Sequence, residues 1–140
     1  MRKDLQELIA RGEGVDIEFK AASAGVHDDV FETVCSFANG QGGDMFLDVN
    51  DHGQVVGLSR EVLVGIKRDV KQACSANGLF TKAVPVGVQE LVLNRHHIVH
   101  IQVLRMRHGV AYKGNRYVRR GDADFKVGTI VVVKDFQKSV

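Results

Sequence analysis

"DVFETVCSFANGQGGDMFLDVNDHGQVVGL", residues 29–58, changes period in its middle, and that change decides the fold class. Val30, Phe31, Val34, Phe37 and Ala38 recur at helical spacing, and Asn39-Gly40 is a helix stop. "MFLDV" then reads as a strand, "NDHGQ" as a turn and "VVGL" as the return of a hairpin. Upstream, "VDIEFK" alternates apolar Val15, Ile17 and Phe19 with polar Asp16, Glu18 and Lys20. A strand sends alternate side chains to opposite faces, so Glu18 and Lys20 are expected together on the polar side. "RKDLQELIARG" predicts a short helix through Leu5, Leu8 and Ile9 with Gly12 as its stop, and Asp28 or Asp29 is placed to cap the helix after "AASAGVHDD".

Downstream, Ser59 can cap a long helix over "REVLVGIKRDVKQACSA", closed by Asn77-Gly78. Then come strands only: "VPVGVQELVL", "HHIVHIQVL", "GVAYK", "RYVRR" and "VGTIVVV", with hairpin turns expected at Asn94-Arg95 and Gly114-Asn115. About three helices followed by a strand meander predict an α+β domain with a largely antiparallel or mixed sheet, residues 1–140 forming one unit.

Composition sets the class of protein. With 44% hydrophobic and 26% charged residues the chain is an ordinary globular one, and no apolar run nears the roughly 20 residues that span a bilayer. The first residues lack the apolar stretch of a secretory signal, and Cys35 and Cys74 lack metal-type spacing, so reduced thiols in a cytoplasmic protein are the expectation. Charge is divided along the chain. Residues 1–94 hold 9 Lys/Arg against 14 Asp/Glu, and residues 95–140 hold 10 against 3, so balances of −5 and +7 make up the net +2. A basic stripe in the second part is the usual footprint of phosphate-backbone binding.

Two stretches could carry chemistry on their own terms. Glu13, Glu18 and Asp51 are oxygen ligands of the kind Mg²⁺ takes, and Lys20 two residues from Glu18 could meet a scissile phosphate. The other reading of the same acids is a structural face. "YKGNRYVRR" interleaves Lys113, Arg116, Arg119 and Arg120 with Tyr112 and Tyr117, a set that can grip phosphates and stack on bases. Alternation puts Arg116 and Arg120 on one side and Arg119 on the other, so both faces cannot serve one ligand equally. "NGQGGD" lacks the Gly-Lys-Ser/Thr of an ATP loop and reads as a tight helix-to-strand connection. His52, beside Asp51, is a weaker candidate.

Four motifs in order carry a family resemblance: "GEGVDIEFK", "FANGQGGDMFLDVNDHGQVVG", "HGVAYKG" and "RYVRRGD". The chain resembles the Schlafen-type AlbA domain over about Glu13 to Gly121. That pattern is a glutamate, four residues and Glu-Phe-Lys; a helix ending in Phe-Ala-Asn with a Gly-Gly turn; a strand and Gly-Val-x-Asp turn; and a late Tyr-x-Arg-x-Gly. The resemblance implies nucleic-acid binding, DNA in regulators and structured RNA such as tRNA in the endoribonucleases of the group. It maps the three active-site carboxylates onto Glu13, Glu18 and Asp51, with Mg²⁺ or Mn²⁺ as cofactor and RNA favoured over DNA if the site is catalytic. A non-catalytic DNA-binding or regulatory module is the alternative. Schlafen cores pair two related lobes, so a homodimer of this single lobe is a further expectation. Asp48 departs from the family's usual glycine, Asn50 from a position often acidic, and the ending from "VGTIVVV" onward from the usual family ending.

Overall fold

Met45, Phe46 and Leu47 are all fully buried, which a strand manages only when both of its faces are covered. The computed structural model, described here for residues 2–129, shows why. Strand β2 (Gly43–Leu47) lies inside a four-stranded sheet ordered β1-β2-β4-β3. Its neighbours are β1 (Ile17–Lys20), which runs parallel to it, and β4 (His96–Val103), antiparallel, with β3 (Val86–Leu93) on the far edge. The fold is α+β with a mixed sheet, as expected.

Three helices cover the sheet: α1 (Arg2–Arg11), α2 (Asp28–Asn39), which crosses over between β1 and β2, and α3 (Arg60–Ala73). α2 and α3 pack Val34, Phe37, Leu63 and Ile66 against Met45, Leu47, Val99 and Ile101 on one face. On the other, Leu5 and Ile9 of α1 meet Ile17, Phe19, Phe46 and Ile98. A separate hairpin, β5 (Asn115–Arg120) and β6 (Ala123–Thr129), packs beside α2. Among the described residues, no helix is long and apolar enough to cross a membrane.

The glycine-rich link after α2 is a close-packed turn. Gly42 has φ +80, and a Cβ there would sit 2.7 Å from the Val103 carbonyl oxygen; one on Gly43 would sit 2.7 Å from the Phe37 ring. Space thus accounts for both glycines. Asn94 and Arg95 both take positive φ, 49 and 67, which makes the two-residue turn anticipated between β3 and β4.

Several boundaries differ from expectation. The cap position of α2 is His27, with no side-chain cap bond, while Asp28 and Asp29 occupy the first turn, where acids favour the helix dipole. Ser59 does cap α3, which ends at Ala73 rather than at Asn77-Gly78. "VVGL" forms no ladder: one bridge, Val49 to Val55, closes the loop. "GVAYK" likewise contributes only bridges at Tyr112, and the next turn is Lys113-Gly114, one residue earlier than expected, with Tyr112 and Asn115 exchanging backbone bonds of 2.8 and 2.9 Å. The last strand begins at Ala123, ahead of "VGTIVVV", whose part from Ile130 lies outside the described residues.

Candidate functional site

The side of β1 that carries Glu18 and Lys20 is covered. Glu18 is only 6% exposed because the β5–β6 hairpin lies over it, so this is a buried electrostatic junction and not a solvated polar face. At its centre is Arg119, whose side chain is 2% exposed. The Arg119 Nη1 donates to Glu18 Oε1 and to Asp124 Oδ1, each at 3.0 Å. Nε and Nη2 donate to the Gly14 carbonyl at 3.1 and 2.9 Å, and Nη2 also to the Ile17 carbonyl at 3.1 Å. A planar guanidinium can fan out to several acceptors in this way, whereas an ammonium presents a single point charge. Arg119 also lies over the Phe37 ring, 5.1 Å from its centroid.

Glu13 and Glu18 do meet: the Phe19 N–H donates to Glu13 Oε2 at 3.1 Å and to Glu18 Oε2 at 3.0 Å. Lys20 stands beside them, its Nζ 3.7 Å from Glu18 Oε1 and 3.6 Å from Asp29 Oδ2. Asp124, not singled out in the sequence, joins the junction from β6 and accepts from the Thr33 hydroxyl of α2.

Asp51 lies elsewhere, exposed at the tip of the loop after β2. Asn50 organises that tip by accepting from the His52 and Gln54 N–H groups, both at 2.9 Å. An amide does here what the more usual acid would do, since either supplies an oxygen for such a turn. Asp48 sits at φ 72 where glycine would be easiest, and compensates by accepting the Ala22 N–H at 3.0 Å. A cleft of about 320 Å³ lined by Phe19, Ala21, Ser23, Asp48, Asn50 and Asp51 separates this loop from the start of the α2 connection.

Of the three expected carboxylates, Glu13 and Glu18 come together and Asp51 stays on its loop. Among the described residues, no three His, Cys, Asp or Glu side chains gather to hold a metal ion. Glu18 also has both oxygens engaged, and the cations facing it are Arg119 and, less closely, Lys20.

The four basic residues expected to bind nucleic acid part company. Arg119, open in the sequence to a structural or a phosphate role, has its donors engaged inside the protein. Lys113 is half exposed and tied to Asp28 at 2.9 Å, with its ammonium 5.5 Å from the Tyr112 ring centroid. Arg116 and Arg120 are exposed. Tyr112 is buried and its hydroxyl donates to Asp28; burial first, and then that bond, hold the phenol above its ordinary range. The same contact, with the Lys113 bond second, lowers the Asp28 carboxyl from its usual value. Tyr117 packs inward with its hydroxyl 3.4 Å from Glu32, so neither tyrosine is free to stack on a base.

The Phe-Ala-Asn motif acquires a reason from the same region. Asn39 donates to the Val110 and Tyr117 carbonyls at 2.9 and 2.8 Å and accepts the Val110 N–H at 2.7 Å, which fastens α2 to the chain entering the hairpin. His100, one of six histidines without an evident sequence signal, is buried between Asp44 at 2.7 Å and Gln89 at 2.9 Å and stacked on Phe46.

Comparison with known proteins follows the fold. The solution NMR structure of the N-terminal domain of an ATP-dependent DNA helicase RecG-related protein from Nitrosomonas europaea is similar at TM-score 0.58 and 25% identity, over 71% of this chain and 72% of that one. The crystal structure of the DIP2311 protein from Corynebacterium diphtheriae shares the fold at TM-score 0.56 and 16% identity, over 90% of this chain but 29% of its own length. No curated protein matches the sequence. The family profile described as Schlafen, AlbA_2 matches residues 13–128, most of the chain. With its Glu-x4-Glu-Phe-Lys, Phe-Ala-Asn and Tyr-x-Arg motifs joined in one junction, the chain belongs to the Schlafen AlbA_2 family.

Proposed function

We propose that this domain binds nucleic acid through the exposed side of its β5–β6 hairpin, with the Glu13, Glu18, Arg119 and Asp124 junction serving as the anchor beneath. The observation that carries this reading is the division of the hairpin's charge. Asp124 is neutralised inside against Arg119, which leaves Arg116, Arg120 and Lys126 exposed against Asp122 alone. Three cations on a short ribbon are the electrostatic arrangement that meets a phosphate backbone. Family membership and the similarity to a helicase-related N-terminal domain support the same class of ligand.

Fluorescence anisotropy with labelled RNA and DNA over a salt series tests it. Affinity is expected to fall as salt rises, because bound counterions are released. Removing the Arg116 and Arg120 charges is expected to weaken binding across sequences without altering preference. No salt-dependent affinity for any nucleic acid would overturn the proposal, and unchanged affinity in the variants would move the site elsewhere. A single lobe leaves the rest of a groove to a second copy, so mass by light scattering with and without nucleic acid belongs to the same experiment.

A second reading, a Mg²⁺- or Mn²⁺-dependent endoribonuclease acting on structured RNA through Glu13, Glu18, Asp51 and Lys20, rests on the meeting of Glu13 and Glu18 beside Lys20. It requires Asp51 to reach the pair and Arg119 to share Glu18. Incubating tRNA with pure protein in Mg²⁺, Mn²⁺ or EDTA separates the two. Metal-dependent cleavage lost in Glu18→Gln would establish the enzyme, and intact tRNA throughout would leave the binding module.

A further inference from the structure

Phe125, on the outward face of the hairpin, has no role in the fold that would require its exposure. Among the described residues it is the only exposed aromatic: Phe19, Phe31, Phe37, Phe46, Phe80 and Tyr112 are buried and Tyr117 is half-buried. Phe125 is 45% exposed and Val127, two residues on along β6, is 46% exposed. Strand pairing sets Phe125 directly opposite half-buried Val118, and Arg120, two residues from Val118 on the same face, holds its guanidinium 5.5 Å from the Phe125 ring centroid. A scattered exposed apolar residue needs no explanation, but an exposed ring with a cation over it on a basic hairpin is a different feature. Among the described residues, no acid pairs with Arg116, Arg120 or Lys126.

From this we infer that the outward hairpin face is a stacking platform for an unpaired nucleobase. Phe125 and Val118 form its floor, and Arg120 flanks the base and meets its phosphate, while Arg116 and Lys126, exposed elsewhere on the hairpin, add to its positive charge. The proposal rests on the nucleic-acid reading above and specifies the kind of ligand. A ring can stack only on a base whose face is free, which single strands, loops and flipped bases offer and a continuous duplex does not. Charge selects against a second copy of the chain as the occupant, since a symmetric pairing would bring Arg120 and its basic hairpin against their own kind.

The chain contains no tryptophan, so Phe125→Trp supplies a single indole reporter at the platform itself. It is to be titrated with 12-nucleotide single strands of RNA and of DNA and with the same sequence as duplex, alongside wild type, Phe125→Ala and Phe125→Tyr. Quenching of the indole by single strands but not by duplex is expected. Phe125→Ala is expected to bind single strands about tenfold more weakly, since each stacked base contributes on that order, while Phe125→Tyr keeps wild-type affinity. Unchanged melting of Phe125→Ala, as its exposure predicts, ties the loss to contact with the ligand. If wild type binds no nucleic acid, the proposed function itself falls. If wild type binds while Phe125→Ala binds equally well, or the indole is not quenched, only the platform is overturned. Equal quenching by duplex would overturn its preference for unpaired bases. Dissociation of a dimer by Phe125→Ala, with binding intact, would reassign the face to contact between copies.

Discussion

Arg119 and Arg120 are consecutive residues with opposite surroundings. Arg119 points under the hairpin, where two carboxylates and two backbone carbonyls take all that its guanidinium can donate. Arg120 points out, over an exposed ring and toward solvent. The difference arises from strand alternation, and it separates affinity for the rest of the protein from affinity for a ligand. A buried guanidinium costs several kcal/mol to desolvate and is held only because each of its donors is met, so it has nothing left for a phosphate. An exposed one has lost little solvation and can exchange water for an incoming anion. The same hairpin is therefore anchored on one side and presented on the other.

The sharpest way to break this contrast is to remove each arginine in turn. Arg119→Ala leaves Asp124 without its cation and Glu18 with Lys20 alone at 3.7 Å, and is expected to cost about 3–5 kcal/mol of stability, lowering the melting temperature by about 10 °C or more. Arg119→Lys is expected to recover little, because an ammonium cannot span the same acceptors. Arg120→Ala is expected to leave melting nearly unchanged. Equal destabilisation by the two changes in thermal melts would refute the division between faces.

Binding should sort the residues the other way. Arg116→Ala with Arg120→Ala is expected to reduce the salt dependence for single strands by about 1.4 in the log–log slope, about 0.7 for each lost phosphate contact. Melting measured alongside should stay close to wild type. A slope equal to that of wild type would place the phosphate contacts on another surface.

Thiol chemistry can show whether the anchor is local. Burial raises both thiols, Cys74 to about 12, so in the native protein neither should react readily with an aromatic disulfide near pH 8. Cys35 lies beneath the chain that enters the hairpin, its Sγ 3.3 Å from the Val110 carbonyl, whereas Cys74 follows the end of α3. Loosening the hairpin by Arg119→Ala is expected to speed the reaction of Cys35 well before that of Cys74. Equal acceleration of both would mean that the whole domain opens, and the anchor would then be global.

The smallest effect concerns the exposed Asp28 contact at the hairpin's entrance. Its carboxyl is lowered from 3.8 by the Tyr112 hydroxyl and then by Lys113. A lowered folded value means that the stabilisation is present above the ordinary value and is lost as pH falls through the lowered one. Asp28→Asn should therefore melt slightly below wild type at neutral pH, with the gap closing below pH 3.8. A gap that widens in acid would contradict the assignment.

The amino-acid pattern alone announces the helices, the central strands and the α+β class, because helical and strand periods differ and each of these segments keeps one period for its length. It also announces the Asn94-Arg95 turn and the closeness of Glu18 and Lys20, both matters of adjacent residues. What it misses shares one cause: each case depends on a partner distant along the chain. Alternation marks Glu18 as polar without telling what meets it, and the residue that covers it, Arg119, lies 101 positions away. Lys113, Arg116, Arg119 and Arg120 look alike in a basic stretch, and only the register of β5 against β6 and α2 decides which of them are spent inside. Phe125 falls between the expected strands "RYVRR" and "VGTIVVV" and carries no signal there, since exposure is a property of the layer above it. Asp51 reads as a third acid for Glu13 and Glu18, while tertiary structure leaves it on an exposed loop. Short-range sterics and solvation are written locally in the sequence; the pairing of a buried charge is settled only when remote segments close over it, because the cost of leaving it unpaired appears at that moment and not before.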